Sequence, residues 1–183
     1  GGAPVREVLE ALQAVSSRPL VMREIPLREG GHLVGVVDLV SERAWGLGKE
    51  GKPALLSLPD SDKPREETAR RELIERLADL DDALLAQLLE DVIPPPQALY
   101  EQLERALRED RLVPVFLGSA EQGLGLERLL KGLRHEAPTV DETRARLGIP
   151  GEIPLLVQAF KTQHQPHVGK LSMVRIWRGA LHE

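Results

Sequence analysis

The chain has 183 residues, 42% of them apolar and 29% charged, which gives room for one or two domains around an aliphatic core. A net charge of −5 and only five aromatic residues, Trp45, Tyr100, Phe116, Phe160 and Trp177, argue against strong non-specific nucleic-acid binding. Phosphates need surplus Lys and Arg to neutralise them, and single strands need rings to stack on. Cysteine is absent, so disulfides and thiolate metal sites are excluded. No apolar run reaches the roughly 18–20 residues of a membrane span, and the N-terminus carries no signal-peptide pattern. The expected setting is cytoplasmic.

In chain order, Pro4 followed by Val5, Val8, Leu9, Leu12 and Val15 predicts a first helix, with proline at its start. Two aliphatic runs follow, Pro19–Leu27 and His32–Val40, separated by the turn residues Arg28 to Gly31. Both are predicted strands. Gly35 inside the second implies a bulge or a close backbone approach, and 43–45 extends the same sheet. Residues 46–64 are polar and rich in Gly, Pro and Asp, which predicts a loop with a short strand at 54–58. Leu73, Leu77, Leu80, Leu84 and Leu88 then recur at helical spacing. They predict one long helix over 64–90, or two broken near Asp81-Asp82. Pro94-Pro95-Pro96 ends that region, and Leu99, Leu103 and Leu107 mark a further helix. Leu112–Leu117 reads as a short buried strand, and Leu126, Leu129, Leu130 and Leu133 as the helix after it. Residues 139–152 lack periodicity and read as a linker. Two strands close the chain, near 154–161 and 170–177, with no third to pair with, although two strands alone are marginal in water.

Short motifs mislead here. Gly46 to Lys52 satisfies both GxGxxG and GxxxxGK. A phosphate loop needs a buried strand before it and a helix after it, and this string has polar flanks and Pro53 instead. It reads as a flexible turn. His164 and His167 stand three apart without a third ligand and read as a solvated turn. Asp79, Asp81 and Asp82 read as a solvated helix face. No catalytic residue and no metal ligand is expected. What remains is an architecture: an apolar strand opening into Gly118-Ser119-Ala120 and then a Leu-rich helix, the kind of strand end where parallel α/β sheets bind ligands.

Four segments taken together carry a resemblance. They are IPLREGGHLVGVVDLV, ETARRELIERLADLDDALLAQLLE, PVFLGSAEQGLGLERLL and FKTQHQPHVGKLSMVRIWRGAL. In this order the chain resembles bacterial elongation factor G and its paralogues, a family that couples GTP hydrolysis to action on the ribosome. The resemblance implies an α+β chain: a small mixed sheet covered by helices, then a hairpin standing for a truncated β-barrel. It assigns 1–17 and 112–138 to the C-terminal part of a GTPase domain and 18–111 to a subdomain inserted in it. It makes 139–152 a linker and 153–183 the first strands of the barrel.

The same resemblance makes Gly118, Ser119 and Ala120 the guanine-contacting loop, with the Ala120 amide facing the base oxygen. The family's phosphate loop, magnesium-binding threonine, DxxG and NKxD segments would lie before residue 1. GTP and magnesium therefore belong to an intact parent, and this chain alone is expected neither to bind nor to hydrolyse GTP. The short 46–64 segment hints at a paralogue. The expected partner is the ribosome, with its acidic stalk protein a candidate for the inserted subdomain through Arg65, Arg70, Arg71 and Arg76. A non-catalytic docking module is the alternative reading, a structural spacer a third. Unpaired edges leave the hairpin open to strand-edge self-association.

Overall fold

The structure is a computed structural model. It describes residues 4–182, with the backbone alone at Glu50, so residues 1–3 and 183 of the predicted segments lie outside the described residues. The chain divides into two compact units, Gly1–Ala137 and Pro138–Glu183.

The first unit runs α1 (Val5–Gln13), β1 (Leu20–Met22), β2 (Glu24–Glu29), β3 (His32–Asp38), β4 (Arg43–Leu47), a 3-10 turn at Lys49–Gly51, β5 (Pro53–Leu56), α2 (Lys63–Ala78), α3 (Asp82–Leu89), α4 (Pro96–Arg108), β6 (Val113–Val115) and α5 (Leu126–Glu136). β2 to β5 form a four-stranded antiparallel meander, while β1 and β6 pair in parallel as a separate two-stranded sheet. The architecture is α+β, as expected.

Alternation along the meander turns Ile25, Leu27, Val37 and Ala44 inward, where they meet Leu73, Ile74 and Leu77 of α2, Leu84 of α3, and Leu99, Leu103 and Ala106 of α4. Gly35 lies opposite Gly46. A Cβ on Gly35 would come within 2.5 Å of the Trp45 carbonyl oxygen, so the close approach inferred from sequence is real. A register shift sits beside it, between Leu27 and Arg28. The helical stripe breaks where Asp81 caps α3, its Oδ1 accepting from the Leu84 amide at 3.0 Å.

Three expectations are corrected. The first run is not one strand. It divides at Arg23, whose N–H donates to the Val115 carbonyl at 2.9 Å while its own carbonyl accepts from the Leu39 amide at 3.0 Å. One residue thus links the parallel pair to the meander, which requires the chain to turn there. The run 112–117 keeps only Val113–Val115 as strand, and Val113 is exposed rather than buried. Among the described residues β6 has β1 as its only strand partner. Residues 139–152 contain a helix, α6 (Val140–Arg146), started by a capping box between Thr139 and Glu142.

In the second unit α6 precedes β7 (Leu156–Gln165) and β8 (Gly169–Arg178), one long antiparallel hairpin. Trp177 is its one buried large apolar side chain among the described residues, its Nε1–H donating to Gln158 at 2.9 Å. Phe160, Leu171, Met173, Val174 and Ile176 are exposed. No closed barrel is present among the described residues.

Candidate functional site

After β6 the chain passes through half-buried Phe116 and Leu117 into Gly118. The turn closes at once: the Ser119 amide donates to the Leu124 carbonyl at 3.0 Å, and the two residues form an isolated antiparallel bridge. Gly125 completes it with φ of 80°. A Cβ there would lie 2.2 Å from the Leu117 carbonyl oxygen, so the two ends of the turn touch backbone to backbone. α5 begins immediately after. Gly118 and Ala120 are exposed and Ser119 is half-buried. The three residues singled out from sequence thus share one turn between a strand end and a helix start.

Buried charges hold this turn against the meander. Leu117's amide donates to Glu24 Oε2 at 3.0 Å. Glu24 and Asp38 are both fully buried. Arg128, from the first turn of α5, bonds to Asp38 and lies 3.8 Å from Glu24 through its Nε. Its guanidinium also stacks over Trp45, 5.2 Å from the ring centre. Asp38 is further satisfied by the amides of Val40 and Ser41 at 3.0 and 2.8 Å, the Ser41 hydroxyl at 3.0 Å and the Tyr100 hydroxyl at 3.4 Å. Deeper in, Arg23 pairs with Glu136 at the end of α5 at 2.5 Å. It also lies over the rings of Tyr100 and Phe116, 5.6 and 5.3 Å from their centres. Phe116 in turn lies against Gly132, where a Cβ would meet its ring at 2.6 Å. Both ends of α5 are therefore tied to the sheets by arginine–carboxylate pairs.

The two buried carboxyl groups are pushed in opposite directions. Burial pushes Glu24 up from 4.5 to about 7, and the neighbouring Asp38 charge adds to this; the Leu117 amide, Arg128 and Arg23 oppose it only in part. Burial also acts upward on Asp38, but the Ser41 amide, Arg128, Arg23 and the Ser41 hydroxyl together hold it below its ordinary value. Glu24, with a raised folded value, binds a proton more readily folded than unfolded. Its contribution to stability is fully present below pH 4.5 and is lost as pH rises through about 7. Urea unfolding should show a lower midpoint above pH 7 than below it, and Glu24→Gln should flatten that trend.

A cleft of about 170 Å³ opens beside the turn, lined by Trp45, Leu47, Pro53, Gly123, Arg128 and Lys131 among others. Elsewhere the sequence candidates separate. Of the string from Gly46 to Lys52, Gly46 and Leu47 end β4 and residues 48–52 connect it to antiparallel β5, with the Gly48 amide donating to the Lys52 carbonyl at 2.7 Å; a strand, not a helix, follows. His164 and His167 are exposed at the hairpin tip, and among the described residues no group of three or more potential metal ligands exists. Asp81 is a helix cap rather than a free acid. Of the four arginines considered for an acidic partner, Arg70 is buried and donates to the Leu39 and Val40 carbonyls at 2.8 and 2.9 Å. Arg65 is engaged by Pro26 and Asp62. Arg71 and Arg76 remain exposed. Sequence reading missed Arg23, Glu24, Asp38, Arg128 and Glu136. The available signal was a charged residue inside an aliphatic run, as in VMREIPL and GVVDLV.

No family model matches the chain. Over 182 residues it is 42% identical to an elongation factor G-like protein of Synechocystis sp., covering 98% of this chain and 27% of that protein. It is 30% identical over 197 residues to elongation factor G of Salinibacter ruber, covering 98% and 28%. It is also 30% identical over 172 residues to elongation factor G of Fervidobacterium nodosum, covering 86% and 25%. A crystal structure from Thermus thermophilus superposes with a TM-score of 0.75 at 29% identity, over 97% of this chain and 26% of that one. Among the described residues no helix is long and apolar enough to cross a membrane. The chain is thus related along almost its whole length to elongation factor G and elongation factor G-like proteins, and spans about a quarter of the relatives it matches.

Proposed function

We propose that the chain is part of a ribosome-directed, GTP-hydrolysing translation factor of the cytoplasm, and that the Gly118–Ala120 turn forms the guanine side of its nucleotide site. The observation that carries this is the division of amides in the turn. Leu117's is held by Glu24 and Ser119's by Leu124, while Ala120 lies exposed within the turn that precedes α5. A backbone N–H in an exposed turn at a strand end suits the carbonyl oxygen of a purine base. Residues 1–17 and 112–138 then belong to the nucleotide-binding domain, 18–111 to a subdomain inserted in it, 139–152 to a connection, and 153–183 to the start of a barrel. GTP and magnesium would be gripped by phosphate-binding residues that this sequence does not carry.

This predicts that the purified chain shows no saturable binding of fluorescent GDP and releases no phosphate from GTP. In the full-length protein, Ala120→Pro removes the amide donor and should weaken GDP binding about tenfold, the worth of one hydrogen bond. Ala120→Gly, which keeps the N–H, should not. Equal affinity in all three proteins contradicts the assignment.

The alternative, a docking module, is favoured by one feature. Leu85 and Leu89 on one face of α3, with Val92 and Ile93 beyond it, are all exposed, and such a cluster suits a protein partner. Arg71 and Arg76, on neighbouring α2, are the charges left for an acidic partner such as the ribosomal stalk protein. Titration with that protein tests this reading; no binding at tens of micromolar, on the order of a weak encounter, removes it.

A further inference from the structure

One carboxyl group, Glu24, lies against both ends of the Gly118–Gly125 turn. Its Oε2 accepts the Leu117 amide just before the turn at 3.0 Å. Its Oε1 faces Nε of Arg128, just after the turn, at 3.8 Å. Oε1 and Nε are both buried and neither has a hydrogen-bond partner. The gap exceeds a hydrogen bond by close to 1 Å. An acceptor and a donor that complement each other, both buried and neither hydrogen-bonded, are an arrangement waiting for a change in one of them.

The change available is a proton. A protonated Oε1 offers a hydrogen that arginine cannot accept, because guanidinium has donors only. An ionised Oε1 attracts the same Nε–H directly. Arg128 already bonds to Asp38 through a terminal nitrogen, so it can reach Glu24 by turning about that contact. We infer that Glu24 is a positioning residue whose carboxyl clasps both ends of the turn: the Leu117 amide in either protonation state, and Arg128 Nε only when the carboxyl is ionised. Closing the clasp would draw the first turn of α5, with Gly125 and Leu126, toward β2.

The other groups around it are accounted for. Asp38 on β3 repels the ionised form, Arg23 between β1 and β2 favours it, and Tyr100 of α4 and Ser41 bond to Asp38 rather than to Glu24. Glu136 is occupied by Arg23. Glu24's midpoint of about 7 means that both states are populated near neutrality. This device depends on the chain's own geometry and stands whether or not the turn meets a base.

The test is an NMR titration of the whole chain, without nucleotide, from about pH 5 to about pH 9. The Glu24 carboxyl resonance should titrate near pH 7. The Arg128 Nε–H should move downfield and exchange more slowly with the same midpoint, accompanied by the Gly125 and Leu126 amides. In Glu24→Gln, a stand-in for the protonated acid, the Arg128 signal should lose its pH dependence. An Arg128 Nε–H that stays put while Glu24 titrates overturns the clasp, as does a Glu24 that titrates at its ordinary 4.5. The wild-type titration decides the matter even if the variant does not fold.

Discussion

Asp38→Ala should destabilise the first unit by about 3–5 kcal/mol, the range for removing one member of a buried ion pair. The side chain is fully buried and is shared by the amides of Val40 and Ser41, the hydroxyls of Ser41 and Tyr100, and the Arg128 guanidinium. Alanine leaves those donors without an acceptor, and leaves Arg128 with Glu24 as its one nearby carboxyl among the described residues, a group whose affinity for its proton burial raises. The loss is therefore larger than for a single hydrogen bond. Asp38→Asn retains one acceptor oxygen and should cost less, about 1–3 kcal/mol. Urea unfolding near pH 7 measures both. A loss below about 1 kcal/mol for alanine would mean that the network is wetter than its burial indicates.

Gly125→Ala is the second large effect, expected at roughly 2–3 kcal/mol from left-handed strain together with a steric clash. The new Cβ would stand 2.2 Å from the Leu117 carbonyl oxygen and 3.0 Å from Gly118 Cα, both backbone atoms that cannot rotate away. Gly123, two residues earlier, is a built-in control. It has a comparable φ of 73°, but a Cβ there meets nothing within 4 Å, so Gly123→Ala should cost only the conformational part, about 1 kcal/mol. The difference between the two variants isolates the contact that closes the turn. Loss of the Ser119–Leu124 bridge in Gly125→Ala alone, seen as faster exchange of the Ser119 amide, is the local readout. If the two glycines respond alike, the backbone contact is not what shapes the turn.

The parts of this molecule that repeat were legible in the sequence. Leucines at helical spacing marked α2 to α5, and aliphatic alternation with Gly30-Gly31 between marked the β2–β3 hairpin. Position in the fold was harder. The strand break at Arg23 arises because its N–H bonds to β6 while its carbonyl accepts from Leu39 just past β3, and nothing in PLVMREIPL announces an acceptor 92 residues away, at Val115. The helix at Val140–Arg146 escaped periodicity because it is held by a capping box rather than by a buried face: no residue in it is buried.

For the site, the turn itself could be read from a strand, three small residues and a helix. Its support could not. Arg128 sits in LERLLKGL like any solvated charge, and its role follows only from the meander that brings Asp38 and Glu24 beneath it. The exposed leucines of α5, Leu126, Leu129, Leu130 and Leu133, made the helix easy to predict and say nothing of which face it would bury.

The most direct test of the guanine-side assignment is the Ala120 amide resonance of the full-length protein on addition of GDP. A base oxygen accepting from that N–H should move the signal downfield and slow its exchange, with guanine and not adenine nucleotide producing the change. Saturating GDP that leaves the Ala120 amide where it was, while other resonances shift, would place the base elsewhere and contradict the account.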